Sequence, residues 1–266
     1  MRYGIIADVH ANAHALDAAL AFLSEQRVDR YLCAGDLVGY GPMPNECVRR
    51  VGALAGHCIA GNHDLIALDR LSDERCIPLA RASLRWTREV LEDDVRARLE
   101  ALPLGASVDA IAVRHGSLSD PQEYVVTETQ ARACLDQLHR SDPSARLLVL
   151  GHTHRPLAVS RRRGELLRSA TGAVELPADD LVLLNPGAVG QSRTADPRAR
   201  VIVLDTKVRI AYFHAIAYDV AGCRRALRER GLPARSCHLR PSARTLAARL
   251  LRRHVRRLVR RPRLPR

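Results

Sequence analysis

Short apolar runs alternate with helically spaced ones over the first 150 residues, and closely spaced turns take over after that. Residues 2–7 form a short, mostly apolar run that predicts a buried strand ending at Asp8-Val9-His10. Leu16, Leu20 and Leu23 recur at helical spacing and predict a helix over 13–24. A second strand is expected over 30–34, ending at Gly35-Asp36, then a loop (Gly39-Tyr40-Gly41-Pro42-Met43-Pro44) and a helix over 45–54. A third strand over 57–60 ends at Gly61-Asn62. This recurrence of strand, polar loop and helix predicts parallel βαβ units. In such sheets functional groups gather at the carboxyl ends of strands, and each of the polar clusters so far falls there.

Residues 64–101 read as a helical insertion beside those strand ends, with a stripe through Leu79, Ala82, Leu84, Trp86, Val90 and Leu91, stopped by Pro103. One or two strands over 106–114 lead to His115-Gly116, a helix over 128–138 starts near Thr127 or Glu128, and a buried strand over 146–150 ends at Gly151-His152. After Pro156, alternating runs at 157–160, 165–168, 172–176, 181–184, 200–205 and 208–214 predict antiparallel sheet, and 220–230 a helix. The expected whole is a sandwich with a βαβ half followed by a mostly β half. This body spans 1–234. In 235–266, Leu246, Leu250, Leu251, Val255, Leu258 and Val259 share one helical face and arginines occupy most of the rest, predicting an Arg-rich amphipathic tail, helical or partly disordered.

Composition changes this picture in three ways. Aromatics are 3% of the 266 residues against 47% apolar, so the core must be built from Ala, Val, Leu and Ile. No run approaches the roughly 20 apolar residues of a membrane span, and Asp8 and His10 interrupt the first apolar run before any signal-peptide core forms; a cytoplasmic location is expected. The seven cysteines are odd in number and form no C-x-x-C pair, which favours free thiols over a thiolate metal site.

Net charge is +13, but twelve of those charges are the arginines from Arg235 to Arg266, where no acid occurs, so residues 1–234 carry only about +1. With 41 arginines to one lysine, compositional bias outweighs phosphate recognition as the explanation. Three roles compete for the tail: docking on the body, contact with an anionic membrane surface, and contact with nucleic acid through phosphates. The absence of aromatics among its arginines counts against base stacking, and docking or partial disorder is preferred.

The polar clusters carry the chemistry. In an extended segment residues two apart share a face, so Asp8 with His10, and His152 with His154, are expected to converge. Carboxylate plus imidazoles is a ligand set for Mn²⁺, Fe²⁺ or Zn²⁺. Asp36 has two oxygens with which to bridge ions, and Asn62 offers a neutral one. Asp8-x-His10 alone reads as incidental polarity at a strand end, and His115 alone as an ordinary histidine. The whole set, each member closing a predicted strand, does not.

That series, Asp8-x-His10, Gly35-Asp36, Gly61-Asn62-His63-Asp64, His115 and Gly151-His152-x-His154, resembles the calcineurin-like metallophosphoesterase superfamily over residues 1–215. The stretches from Gly39 to Cys47 and from Asn185 to Gln191 resemble its small bacterial branch. The resemblance implies an α/β fold, a four-layer αββα sandwich of two mixed sheets with flanking helices. It implies a binuclear centre: Asp8, His10 and His154 on one ion, Asn62, His115 and His152 on the other, Asp36 bridging. Two divalent ions are implied, Mn²⁺ first, with Fe, Zn, Ni or Co as alternatives. A metal-bridging hydroxide would attack a small-molecule phosphate ester, a diester in preference to a monoester, with His63 as general acid or charge stabiliser and Asp64 orienting His63 by a hydrogen bond. The Arg that protein phosphatases of the superfamily carry after the bridging Asp is missing from Gly35-Asp36-Leu37-Val38-Gly39, and Asp64 stands where they usually have Glu; both weigh against a protein phosphatase. Arg193 is a candidate substrate contact. The alternatives are a phosphomonoesterase or protein phosphatase of the same fold, or a nucleic-acid- or membrane-binding protein acting through the tail.

Overall fold

A computed structural model describes residues 1–240 apart from residue 168. The chain runs β1 (Arg2–Ile6), α1 (Ala13–Glu25), β2 (Arg30–Cys33), α2 (Pro44–Gly52), β3 (Gly56–Cys58), α3 (Asn62–Ala67), α4 (Pro78–Val90) and α5 (Asp93–Glu100). It continues through β4 (Ala106–Val108), β5 (Ile111–Val113), α6 (Glu128–Ser141), β6 (Leu147–Val149), β7 (Pro156–Ser160), β8 (Gly164–Glu165) and β9 (Gly172–Glu175). Then come β10 (Val182–Pro186), β11 (Ala199–Asp205), β12 (Ile210–Ile216), α7 (Val220–Glu229) and a 3₁₀ turn, Ala234–Cys237.

Two six-stranded mixed sheets result, ordered β3-β2-β1-β11-β12-β9 and β4-β5-β6-β10-β7-β8. Strand alternation explains why they stack. Tyr3, Ile5, Ile202, Leu204, Leu147, Val149, Val182 and Leu184 meet in one core between the sheets. Their neighbours turn outward: Ile6, Val201 and Val203 pack with α1, α2 and α5 residues such as Leu16, Val48 and Leu99, while Leu148 and Leu183 pack with Leu135 and Leu138 of α6. Strands buried on both faces are thereby covered by helices on each outer side, the αββα sandwich expected of the sequence.

The expected division into a βαβ half and an antiparallel half does not map onto the sheets. β10 joins β6 in parallel, and β11 lies antiparallel against β1. Each sheet therefore holds a parallel trio, β1-β2-β3 and β5-β6-β10. Runs in the second half read as antiparallel from their short turns alone, and turn length does not reveal a pairing made across the chain.

The helical region 64–101 is three helices, not one, and the break has local causes. Asp69 has a positive φ of 59°, and Pro78 occupies the first turn of α4, where its missing N–H costs nothing. The buried face of α4 is Ala80, Ser83, Leu84 and Thr87, so the stripe expected through Leu79, Ala82 and Trp86 was misphased. Two of the true positions are polar and were hidden for that reason: Ser83 Oγ and Thr87 Oγ1 donate to the carbonyls of Ala80 and Ser83, both at 2.9 Å.

Past residue 234 the described chain lies on the body. Gln191 Nε2 donates to Ser236 O at 2.8 Å, Leu239 N donates to Ser192 O at 2.9 Å, and Cys237 packs with Cys223, Leu227 and Leu232. The helical face expected at 242–260 lies outside the described residues. All seven cysteines are free, and no helix among the described residues is long and apolar enough to cross a membrane.

Asn12, fully buried, ties the first loop together. Its Oδ1 caps α1 by accepting from Ala15 N at 3.1 Å, and its Nδ2 donates to Gly190 O at 2.8 Å. Asn12→Ala removes these bonds and a third from Nδ2 to Tyr218 Oη at 3.3 Å, so stability should fall by about 1–3 kcal/mol, read as a lower urea midpoint at unchanged slope.

Candidate metal centre

The carboxyl ends of both parallel trios lie at one edge of the sandwich, and the polar clusters follow them. β1 delivers Asp8 and His10, β2 Asp36, β5 His115, and β6 His152 and His154, while Asn62 opens α3 after β3. Asp8, His10, Asp36 and His154 bring one ligand atom each within 4.8 Å of one another, as do Asp36, His115 and His152. Asp36 belongs to both groups. Asn62 Oδ1 joins the second, 3.0 Å from His115 Nε2. All seven side chains are buried.

Convergence does not come from strand pleat. Asp8, His10, Asp36, His152 and His154 have φ of 54°, 47°, 57°, 64° and 55°, in the left-handed region that non-glycine residues seldom occupy. The turns of these loops, and not an extended segment, swing residues two apart toward one point. Such backbone costs of order 1–3 kcal/mol per residue and persists only where its surroundings enforce it.

Hydrogen bonds fix the protons. Nδ1 of His10, His115 and His154 face the carbonyls of Val38 at 3.1 Å, Ala34 at 2.6 Å and Gln191 at 2.7 Å. A carbonyl only accepts, so each Nδ1 carries hydrogen and each neutral ring turns a bare Nε2 inward. Yet His10 Nε2 and His154 Nε2 are 3.1 Å apart, and His115 Nε2 faces Asp36 Oδ2 at 3.3 Å. Lone pair against lone pair is repulsive unless a cation lies among them. Asp8 Oδ2, Asp36 Oδ2 and His152 Nε2 are buried with no hydrogen-bond partner among the described residues. This donor set, nitrogen and oxygen with inward lone pairs and backbone-anchored far nitrogens, fits divalent metal ions.

Electrostatics of the cation-free cluster agree. Burial opposes charge on His115, but Asp36 outweighs it and raises the imidazole to about 10. Burial, reinforced by Asp36 against His115, pushes Asp8 up to about 8. Asp36 stays ionised: burial opposes this too, but His115 and His63 hold it well below the carboxylate range. Burial drives His10 and His154 far down and His152 to about 3. Without a cation, then, Asp8 and His115 hold protons that a metal ion would displace.

The expected hydrogen bond from Asp64 to His63 is absent. Asp64 Oδ1 accepts from Leu37 N at 2.8 Å and Val38 N at 3.1 Å, and Oδ2 from Gly61 N at 2.9 Å. Backbone donors take both oxygens, because residues 37 and 38 turn back over α3. Asp64 thus staples the loop after Asp36 to the start of α3. Gly61 is needed for the same approach: a Cβ there would lie 2.1 Å from Asp36 Oδ1. His63 Nδ1 is buried with no hydrogen-bond partner among the described residues, its ring 4.7 Å from His10 and 4.8 Å from Tyr40 between centroids. Burial lowers His63 to about 4.

A cavity of about 360 Å³ opens over the cluster, lined by Asp36, Asn62, His63, His152 and Arg193 among others. Arg193 donates Nη1 to Tyr124 Oη at 3.0 Å and Nε to Gln191 Oε1 at 3.1 Å. Tyr40, Tyr124 and Gln191 were not expected as site residues. In a chain with 3% aromatics, a tyrosine in a polar loop after a candidate ligand was the available signal. Asn185 secures the second histidine loop, donating Nδ2 to Gly151 O at 2.6 Å and Thr153 Oγ1 at 3.2 Å.

A family model described as the calcineurin-like phosphoesterase superfamily domain matches residues 1–209. An uncharacterized protein of Methanocaldococcus jannaschii is 30% identical over 227 residues, covering 81% of this chain and 89% of the relative. Among solved structures, a metallophosphoesterase from Sphaerobacter thermophilus aligns with a TM-score of 0.75 at 34% identity, over 89% of this chain and 97% of that one. A hypothetical protein from Pyrococcus horikoshii OT3 aligns with a TM-score of 0.71 over 89% and 96% of the two chains; its 18% identity speaks for the fold alone.

Two outcomes follow from the cluster. Loading metal-free protein with a divalent ion at pH 7 should release about two protons, from Asp8 and His115, since ligands bind deprotonated. The release should shrink as pH rises through about 8 and then about 10. Calorimetry in buffers of different ionisation enthalpy measures this, and proton uptake would contradict it. Asp64→Asn turns one N–H-accepting oxygen into a donor facing a backbone donor. Metal affinity should drop by about 10–100-fold although Asp64 touches no metal position, read by competition with a chromophoric chelator.

Proposed function

Because the chain belongs to the calcineurin-like phosphoesterase superfamily and is a phosphate-ester hydrolase, we propose that it acts on phosphodiesters at a binuclear centre. The observation that carries this reading is the sharing of Asp36 between two ligand clusters. Asp8, His10, Asp36 and His154 would hold one ion and Asp36, Asn62, His115 and His152 the other, with Mn²⁺ the first candidate for this nitrogen and oxygen set. Ions bound there would supply Lewis-acid charge for the phosphoryl oxygens and an activated water.

The chain's own groups do the rest. Asp64, Asn185 and Gln191 hold the ligand loops in place. His63 lines the cavity with no partner among the described residues for its buried Nδ1. Held down to about 4 by burial, it is neutral in the free protein and donates a single N–H. An anionic phosphate beside it raises its proton affinity, which suits it to the leaving oxygen as hydrogen-bond donor or general acid. Arg193 brings a permanent positive charge to the cavity. Nearby Arg75 is already committed, its Nη1 to Asp120 at 2.7 Å and Nη2 to Gln122 O at 2.9 Å.

The charge balance supports a diester. A monoester dianion calls for more cationic partners than a diester monoanion, and the loop after Asp36 offers backbone where protein phosphatases have an arginine. Leu37 N and Val38 N are spent on Asp64, and Val38 O on His10.

With Mn²⁺, kcat/KM for bis(4-nitrophenyl) phosphate should exceed that for 4-nitrophenyl phosphate, and Asp36→Ala should abolish both activities; a preference for the monoester would overturn the diester reading. His63→Ala should keep its metal and lose about 10²–10⁴-fold in kcat. Metal analysis beside steady-state kinetics separates that result from a damaged centre.

A further inference from the structure

Tyr124 has no part in the metal cluster, yet it is held against it. Its ring lies on His152 with centroids 4.2 Å apart and planes at 42°. Its hydroxyl accepts from Arg193 Nη1 at 3.0 Å, and Arg193 is itself held by Gln191. Both ends of the side chain are therefore fixed. The residue nevertheless remains 45% exposed and belongs to none of the buried core clusters among the described residues. A tyrosine has little rotamer freedom to lose and offers a large flat contact area, so an immobilised exposed one is suited to binding.

Its surroundings narrow the ligand. Ile77, 49% exposed, and Leu239 line the same cavity, so the wall near the tyrosine is partly apolar. Gln122, almost fully buried, lines it too; its Nε2 donates to Ser72 O at 3.4 Å, which leaves Oε1 able to accept from a polar ring edge. Flat aromatic surface, apolar side walls and an amide together fit a planar heteroaromatic ring better than an alkyl chain. The ring sits one side chain away from the phosphate position, since His152 separates Tyr124 from Asp36.

We propose that Tyr124 is a stacking platform for a nucleobase carried by one ester arm of the substrate, making the substrate a nucleotide-bearing phosphodiester. This rests on the phosphodiesterase reading above. The competing role, that Tyr124 only buttresses His152, makes a different prediction: its loss would loosen the metal and weaken every phosphate ligand alike.

The test uses the metal-loaded full chain and two probes with the same phosphate, adenosine 5′-monophosphate and ribose 5-phosphate, titrated calorimetrically. Stacking a base on an aromatic side chain gives about 5- to 150-fold in affinity, so the nucleotide should bind at least about fivefold more tightly. Tyr124→Leu should erase that difference while leaving ribose 5-phosphate affinity and metal content unchanged. Tyr124→Phe, which keeps the ring and loses the Arg193 bond, should retain most of it and guards against a folding defect. Equal affinity of the two probes in the unaltered protein, no binding of either, or an equal weakening of both in Tyr124→Leu with loss of metal would each overturn the proposal. Hydrolysis of bis(4-nitrophenyl) phosphate without nucleotide preference sinks the platform alone; nucleotide preference without any diester hydrolysis sinks the catalytic reading and leaves the platform standing.

Discussion

Everything at the active edge depends on where three imidazole protons are kept. Val38, Ala34 and Gln191 carbonyls each take an Nδ1–H, and the inward nitrogens of His10, His115 and His154 are left to take a proton or a metal ion. Those lone pairs meet carboxylate oxygens and one another at 3.1–3.5 Å. In water such a collection would scatter. Here it is buried, so only protons or metal ions make it tolerable. A single choice of tautomer, enforced by backbone carbonyls, turns a set of polar loops into a cation site.

Holding that arrangement takes more than its ligands. Five of the candidate ligands have left-handed backbone, which the loops would shed if free to relax. What prevents relaxation is the pairing of loops from different strands. Asp8 N donates to Gly35 O and His10 N to Asp36 O, both at 2.9 Å, Gly190 N to Asp8 O at 2.9 Å, and His152 N to Asp8 Oδ1 at 3.0 Å. The loops can meet because the parallel trios of both sheets end at one edge, and the sheets are held face to face by Ile5, Ile202, Val149, Leu184 and their neighbours. The apolar interior thereby sets the geometry of a polar site at its edge, which it meets at Ala34.

Much of this was legible in the sequence because it is local. A short apolar run followed by Asp, His or Asn marks a strand end wherever it occurs, and all seven candidate ligands were named from that pattern and the family resemblance. The helices with well-capped ends, such as α6 under Thr127 and Gln130, were equally visible. Three things were not. The parallel pairing of β10 with β6 is made across the chain and leaves no mark on either segment. The buried face of α4 includes Ser83 and Thr87, whose hydroxyls are satisfied within their own helix and so read as polar surface. The partner of Asp64 depends on a loop folding back over a helix, and sequence adjacency to His63 pointed to the wrong neighbour.

Gln191 shows how such non-local links join the parts. It is fully buried, and each of its polar ends serves a different structure. Its carbonyl fixes the tautomer of His154, its side-chain oxygen receives Arg193 Nε, and its amide nitrogen reaches Ser236 O in the 3₁₀ turn. A candidate metal ligand, the cavity cation and the 3₁₀ turn are therefore tied to one residue, through its backbone carbonyl and its side-chain amide. Ser192, next along, adds the contact with Leu239, which lines the cavity. The boundary expected at 234, from arginine content and the amphipathic pattern beyond it, lies within the stretch that this linkage joins. Arginine content changes there, but Ser236, Cys237 and Leu239 still pack on the body, and Leu239 helps to shape the mouth of the site.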